Sequence, residues 1–179
     1  MKNETKKAIK NFTLEVLDFF LGIPESFAIA FDRKEFHRQL NGFTTEKQLT
    51  CDNIAKFISN LKKSGYIQIK KTSQGESIQF TNKARLSIID RIVYRTADDH
   101  KYRFVSFDIP ERLRIDRDKF RRALKKMGFV KIQKSLWVCN KNVGRFVELA
   151  AYEYGVEKYI VYIISEKTDI DGIIQKKFQ

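Results

Sequence analysis

Apolar positions along the chain follow a helical period first, then an alternating one, and in the second half the two interleave. From Thr5 to Leu21, Ile9, Phe12, Val16, Phe19 and Phe20 fall three and four residues apart, which predicts a helix with one buried stripe, ended by Gly22 and Pro24. After "ESFAIAF" a second short helix is expected from Arg33 to Leu40, closed by Asn41 and Gly42. Ile54, Phe57, Ile58 and Leu61 stand at i, i+3, i+4 and i+7, the buried side of a third helix that runs to about Lys63 and is broken by Gly65. "YIQIK" and "SIQF" then alternate around "KTSQGE", the pattern of a two-stranded hairpin with Lys70 and Lys71 by its tip. An amphipathic helix from about Lys83 to Arg91 follows. A helix, a hairpin with a basic tip and a further helix form the order of a winged helix-turn-helix.

The charged, weakly periodic residues 93–100 read as a linker. Beyond them "YRFVSFDI" alternates as a strand, and Pro110, which cannot donate a ladder hydrogen bond, stops it at about Asp108 or Ile109. Phe120, Ala123, Leu124 and Met127 are the buried stripe of a helix closed by Gly128. "FVKIQ" and "SLWVC" are two short strands joined near Lys134, and "VGRFVELAAYEYG" carries Phe146, Leu149 and Ala150 at helical spacing. "EKYIVYIIS" is nearly all apolar, so the last strand is expected to be central or covered on both faces. The order strand, helix, strand, strand, helix, strand is the ferredoxin-like βαββαβ arrangement. The expected fold class is α+β: a winged helix-turn-helix over 1–92, a linker over 93–100, a ferredoxin-like unit over 101–165 and a tail over 166–179.

Charge adds a partner. The 35 Lys and Arg exceed the 22 Asp and Glu, for a net charge of +13, and both halves are basic. Such a molecule is drawn to polyanions, with nucleic acid first among them. The longest apolar stretch, 12–31, is interrupted by Glu15, Asp18, Pro24 and Glu25, too broken to span a bilayer, and the N-terminus lacks the apolar core of a signal peptide. A cytoplasmic protein with no membrane partner is expected. Cys51 and Cys139 stand alone and His37 and His100 have no partner motif, so no zinc set is expected.

The polar side of the third helix is Asn53, Lys56, Ser59, Asn60 and Lys63, short polar and cationic residues suited to base edges and phosphates in a major groove. Lys70 and Lys71 would reach phosphate from the wing. Ten basic residues lie between Arg112 and Lys134; among them Arg117, Arg121 and Lys125 line one helix face with Arg122 beside them, candidates for backbone phosphates. The plain alternative for both sets is a solvated cationic surface.

"FVSFDIPE", "RDKFRRALKKMGF", "KIQKSLWV" and "GVEKYIVYII", between Lys101 and Ser165, together resemble the CRISPR-associated Cas-two family and, more closely, the Cas-two-like central domain of PaaX-like transcriptional repressors. A winged helix in front strengthens the repressor comparison, because PaaX-like proteins carry one there. The resemblance implies a twofold homodimer that offers two recognition helices to a pseudo-palindromic duplex. The strand "YIVYII" and the tail "DIDGIIQKKF" are candidates for the shared surface. The chain stops soon after this unit, whereas PaaX-like repressors continue into a C-terminal region, so no acyl-CoA effector site and no cofactor is expected.

In the CRISPR relatives the aspartate matching Asp108 is assigned to a divalent metal for phosphodiester cleavage. That makes Asp108 a candidate catalytic and Mg²⁺-binding residue. The structural alternative is that Asp108 caps the following helix or pairs with Arg112 or Arg114; apart from Glu111, no second acid stands close by. The function expected is a homodimeric regulator of transcription that binds double-stranded DNA without cutting it. The alternatives are a Mg²⁺-dependent nuclease and a non-catalytic partner that holds DNA for an integrase in CRISPR spacer acquisition.

Overall fold

The computed structural model describes residues 2–21, 30–45, 51–73 and 75–178, with side chains over 10–21, 30–43, 54–73 and 75–178. The chain divides into two compact units, Met1–Ile88 and Ile89–Gln179.

The first unit runs α1 (Lys2–Leu21), β1 (Ala30–Asp32), α2 (Arg33–Thr45), α3 (Cys51–Lys63), β2 (Ile67–Thr72), β3 (Gly75–Phe80) and α4 (Asn82–Ser87). The sheet is antiparallel in the order β1-β3-β2. A phenylalanine cluster fills its core: Phe20 stacks on Phe36 at 4.6 Å between ring centroids, and Phe31 and Phe80 meet them edge-on or tilted at 5.2 to 6.0 Å. Burying each such ring stabilises the unit by roughly 1.5–3 kcal/mol.

Three expectations change here. β1 appears inside "ESFAIAF", where no strand was expected, because Phe31 packs on the cluster while its backbone pairs with Ile78. α2 does not stop at Asn41 and Gly42 but continues to Thr45. The ring of Phe43 lies 4.9 Å from Phe19 and 6.4 Å from Phe12, apolar contact that offsets the roughly 1 kcal/mol cost of a helical glycine. The helix expected over Lys83 to Arg91 is broken at Ile88, where the Ser87 hydroxyl donates to the Ala84 carbonyl (2.6 Å) and takes it from the helical ladder. The stop at Gly22 and Pro24 lies outside the described residues.

The second unit runs α5 (Ile89–Arg95), β4 (Asp98–Phe107), α6 (Arg114–Lys126), β5 (Val130–Lys131), β6 (Leu136–Lys141), α7 (Gly144–Glu153), β7 (Ile160–Ser165) and α8 (Asp171–Phe178). From β4 to β7 the order is the βαββαβ alternation read from the sequence, and the sheet is antiparallel in the order β5-β6-β4-β7. Alternation along β4 places Arg103, Val105 and Phe107 toward α6 and α7, where Phe107 meets Phe120 edge-on at 5.7 Å. Phe104 and Val138 face the other way and form a cluster with Ile174 of α8.

Residues 93–100, expected as a linker, are helix up to Arg95 and strand from Asp98. Ile89, Ile92 and Val93 are buried at helical spacing, and the Lys141 ammonium donates to the carbonyls of Val93 (3.0 Å) and Thr96 (3.1 Å) beyond the helix end. Of the expected tail, residues 171–178 form α8, and Ile170, Ile174 and Phe178 pack on the sheet. β7 is neither central nor covered: it is an edge strand bonded to β4, with Val161, Ile163 and Ile164 46 to 58% exposed.

Candidate nucleic-acid interface

α3 sorts its residues as an amphipathic helix must. Ile54, Ile58 and Leu61 are buried, Phe57 is half-buried against Phe12, and Lys56, Ser59, Asn60 and Lys63 stand exposed along the opposite side. Asn53 belongs to the helix, and its side chain lies outside the described set. The end of α3 is fixed by Gly65, whose φ of 72° lets Gly65 N–H reach the Lys62 carbonyl (2.9 Å) and Tyr66 N–H the Leu61 carbonyl (2.9 Å). The Thr81 hydroxyl donates to the Gly65 carbonyl (2.6 Å) and the Lys83 ammonium to that of Ser64 (2.8 Å). Helix, turn and hairpin are thereby tied together, so the exposed side of α3 holds a set position beside β2.

The hairpin is paired further than its composition suggests. Lys70 lies opposite Ser77, Lys71 opposite Glu76 and Thr72 opposite Gly75. Lys70 and Lys71 are therefore ladder residues near the tip, and neighbours on a strand point to opposite faces. Lys71 shares its face with Ile67 and Ile69 and lines a groove of about 390 Å³ with Ser59, Lys62 and Arg33. Lys70 points to the other face. Arg33 forms an ion pair with Glu76, whereas the side chains of Lys56, Lys62, Lys63, Lys70 and Lys71 have no partner among the described residues. Lys62 was not among the residues singled out from the sequence; its position three after Ser59 was the available signal.

In the second unit, α6 is closed at Gly128 (φ 83°) by bonds from Gly128 N–H to the Lys125 carbonyl (3.1 Å) and from Phe129 N–H to that of Leu124 (3.0 Å). Phe120, Ala123, Leu124 and Met127 are buried as the periodicity predicts. The four cations picked on this helix part company. Arg117 is turned inward: it donates to the Ile109 carbonyl (3.1 Å) and pairs with Glu111 (2.8 Å), whose carboxyl it holds below the usual range. Arg121 lies over the ring of Phe107 at 5.5 Å and reaches Asp118 at 3.4 Å. Arg122 and Lys125 are exposed and unpaired among the described residues.

Asp108 follows β4, its N–H bonded to the Tyr159 carbonyl (3.0 Å) and its side chain exposed. Among the described residues it caps no helix and pairs with no arginine: Leu113 is the residue before α6, Arg112 donates to the Tyr159 hydroxyl (3.2 Å) and Arg114 leans to Glu111 (3.9 Å). Mg²⁺ asks for six oxygen ligands, several of them water, usually with one or two carboxylates. Glu111 is committed to Arg117, and the described residues hold no group of three or more acidic, histidine or cysteine side chains that could take a metal. Among the described residues, a single copy offers Asp108 as one lone exposed carboxylate. Cys139 is buried in β6, where desolvation pushes its thiol up from the ordinary value, and it is an inert core residue.

No helix among the described residues is long and apolar enough to cross a membrane. No curated protein and no solved structure matches the chain. Residues 95–174 match the family model of the PaaX protein central Cas2-like domain, a span that opens at the end of α5 and takes in the whole sheet and Ile174 of α8. Over residues 95–174 the second unit of this chain is thus similar to the PaaX protein central Cas2-like domain.

Proposed function

We propose that the protein is a homodimeric regulator that binds double-stranded DNA through its first unit and has no catalytic role. In this reading the first unit is a winged helix: α3 enters the major groove and the β2–β3 hairpin is the wing. The observation that carries it is the exposed row Lys56, Ser59, Asn60 and Lys63, whose side chains have no partner among the described residues, locked by the Gly65 turn beside a hairpin that bears Lys70 and Lys71. Lysine and asparagine can both bond base edges, and small neighbours such as Ser59 let the helix approach. The family of the second unit supports regulation over other uses of such a surface. A ferredoxin-like Cas2-like unit with a bare apolar edge strand suits a twofold dimer, and a dimer suits paired half-sites.

Selection of bound fragments from the source genome tests this directly. Wild-type protein should enrich a half-site repeated with twofold symmetry. Lys56→Ala with Asn60→Ala should lose about 5- to 150-fold in affinity for it, as expected when an interaction worth roughly 1–3 kcal/mol is removed. The same labelled duplex should stay intact with Mg²⁺ present. Uniform recovery of fragments, or an Asp108-dependent cut, would overturn the reading.

A further inference from the structure

We propose that the second unit carries its own duplex-backbone site: a groove in which Arg121, Arg122 and Lys125 of α6 face Lys131, Lys134 and Lys177 from three other parts of the chain. This rests on the reading of the protein as a DNA binder. The groove has a volume of about 1010 Å³, and Asp118 is the acidic residue along it.

Convergence, together with the lack of partners, marks this group: Arg121 reaches Asp118, and the other five have no anion of their own among the described residues. Elsewhere in the unit several cations are held by the fold: Arg103 has Asp99, Arg117 has Glu111, Lys119 has Asp116 and Lys101 has Glu166, while Lys141 is held by two backbone carbonyls. Arg122, Lys125, Lys131, Lys134 and Lys177 have no hydrogen bond or ion pair among the described residues. No ion pair among the described residues relieves the repulsion among them, and a polyanion supplies the missing charge. Lys125 and Lys177 sit in the last turns of α6 and α8, where a lysine offsets the helix dipole without any ligand. That account does not extend to Lys131 on the edge strand β5 or Lys134 in the turn before β6.

The floor of the groove tells which polyanion fits. Phe129 and Trp137 line it, yet both are 3% exposed, so neither offers a ring face to an unstacked base. A single strand would be held by charge alone. A duplex asks for no more than that from a backbone site, because its phosphates stand outward and its bases remain stacked.

The test uses the full-length protein with Lys131→Gln, Lys134→Gln and Lys177→Gln combined, and follows binding to a non-specific duplex across salt concentration. The slope of log affinity against log salt should become shallower by about 2.7 per protomer, about 0.9 for each phosphate that is no longer neutralised. The corresponding triple arginine variant should keep the wild-type slope, which separates loss of charge from loss of fold. Sequence preference should survive in the glutamine variant, whereas the α3 substitutions abolish it. Unchanged slope in a glutamine variant whose parent binds duplex overturns the groove and leaves the α3 reading standing. A parent that binds no duplex at any salt overturns both. A slope change confined to single-stranded oligonucleotides overturns the duplex assignment.

Discussion

Arg103 is 2% exposed in the sheet, and a buried guanidinium must be paired in place. Its two terminal nitrogens take the Asp99 carboxylate, and Nη1 also donates to the Lys101 carbonyl (2.7 Å). These contacts draw in a bulge of β4, where the register shifts between Asp98 and Arg103 and His100 takes a φ of 59°. Hydrogen bonding to Arg103 holds the Asp99 carboxyl down at about 2, from an ordinary 3.8. A lowered carboxyl stabilises the fold above its unfolded value and loses that contribution as pH falls toward the folded one. The wild-type unfolding midpoint should therefore fall between about pH 4 and pH 2. In Asp99→Ala it should start lower at neutral pH and fall less steeply over that window. Glu35, held down at about 2 by Arg38 and Gln39, keeps its own acid response in the variant. Arg103→Leu should be milder than Asp99→Ala, because Asp99 is 39% exposed and returns to water, whereas a lone buried guanidinium cannot. Calorimetry from pH 2 to 7 checks both the window and the ranking; the reverse ranking would remove Arg103 as the anchor of the bulge. None of this was legible in "ADDHKYRF", where Asp98 and Asp99 fall in the expected linker and Arg103 in the expected strand, since only the fold places that cation under the sheet.

At the scale of elements, the helices that carry the candidate surfaces were legible to within a few residues. α3 and α6 each have an apolar stripe and a following glycine, so period and stop agree. The hairpin was legible too, though its pairing reaches Thr72 and Gly75 and splits Lys70 from Lys71. What a sequence cannot carry is convergence: Lys131, Lys134 and Lys177 join Arg122 and Lys125 only once strand order and α8 are fixed. Nor can it tell an apolar strand that is covered from one that is bare, which is why β7 was expected at the centre of the sheet. One close approach sets the seating of that strand. A Cβ on Gly144, the first residue of α7, would stand 2.9 Å from the Tyr162 hydroxyl oxygen and 3.0 to 3.1 Å from its ring. Gly144→Ala should cost roughly 1–3 kcal/mol by overpacking, read from urea unfolding. Adding Tyr162→Leu should return much of that loss if the ring is the obstacle. Full additivity of the two changes would mean that the close approach carries no weight.

For the whole molecule, the unanswered demand is the bare edge of the second unit. β7 bonds to β4 on one side, and its alternation places Val161 (58% exposed) and Ile163 (46%) on the face of Phe104, with Ile164 (56%) on the other. Ile173 of α8 adds a further exposed side chain at 55%. An apolar strand open along its edge is a template for a neighbouring chain, and natural proteins usually blunt such edges with charge or proline. Here β7 has neither. A second copy seated on this edge would cover the strand, and a stable pairing needs about 800 Å² from each partner. Val161→Lys with Ile163→Lys places charge on exposed positions, so it should leave each unit folded while shifting the protein from dimer to monomer in sedimentation equilibrium. The consequence for DNA follows from effective concentration, since in a dimer the second half-site is met at millimolar levels by the tethered partner. Affinity for a paired site should fall by about 10²- to 10⁴-fold, and affinity for an isolated half-site should stay the same. A variant that remains dimeric moves the pairing surface elsewhere. One that becomes monomeric yet binds the paired site as tightly as before would show that each copy reads DNA alone.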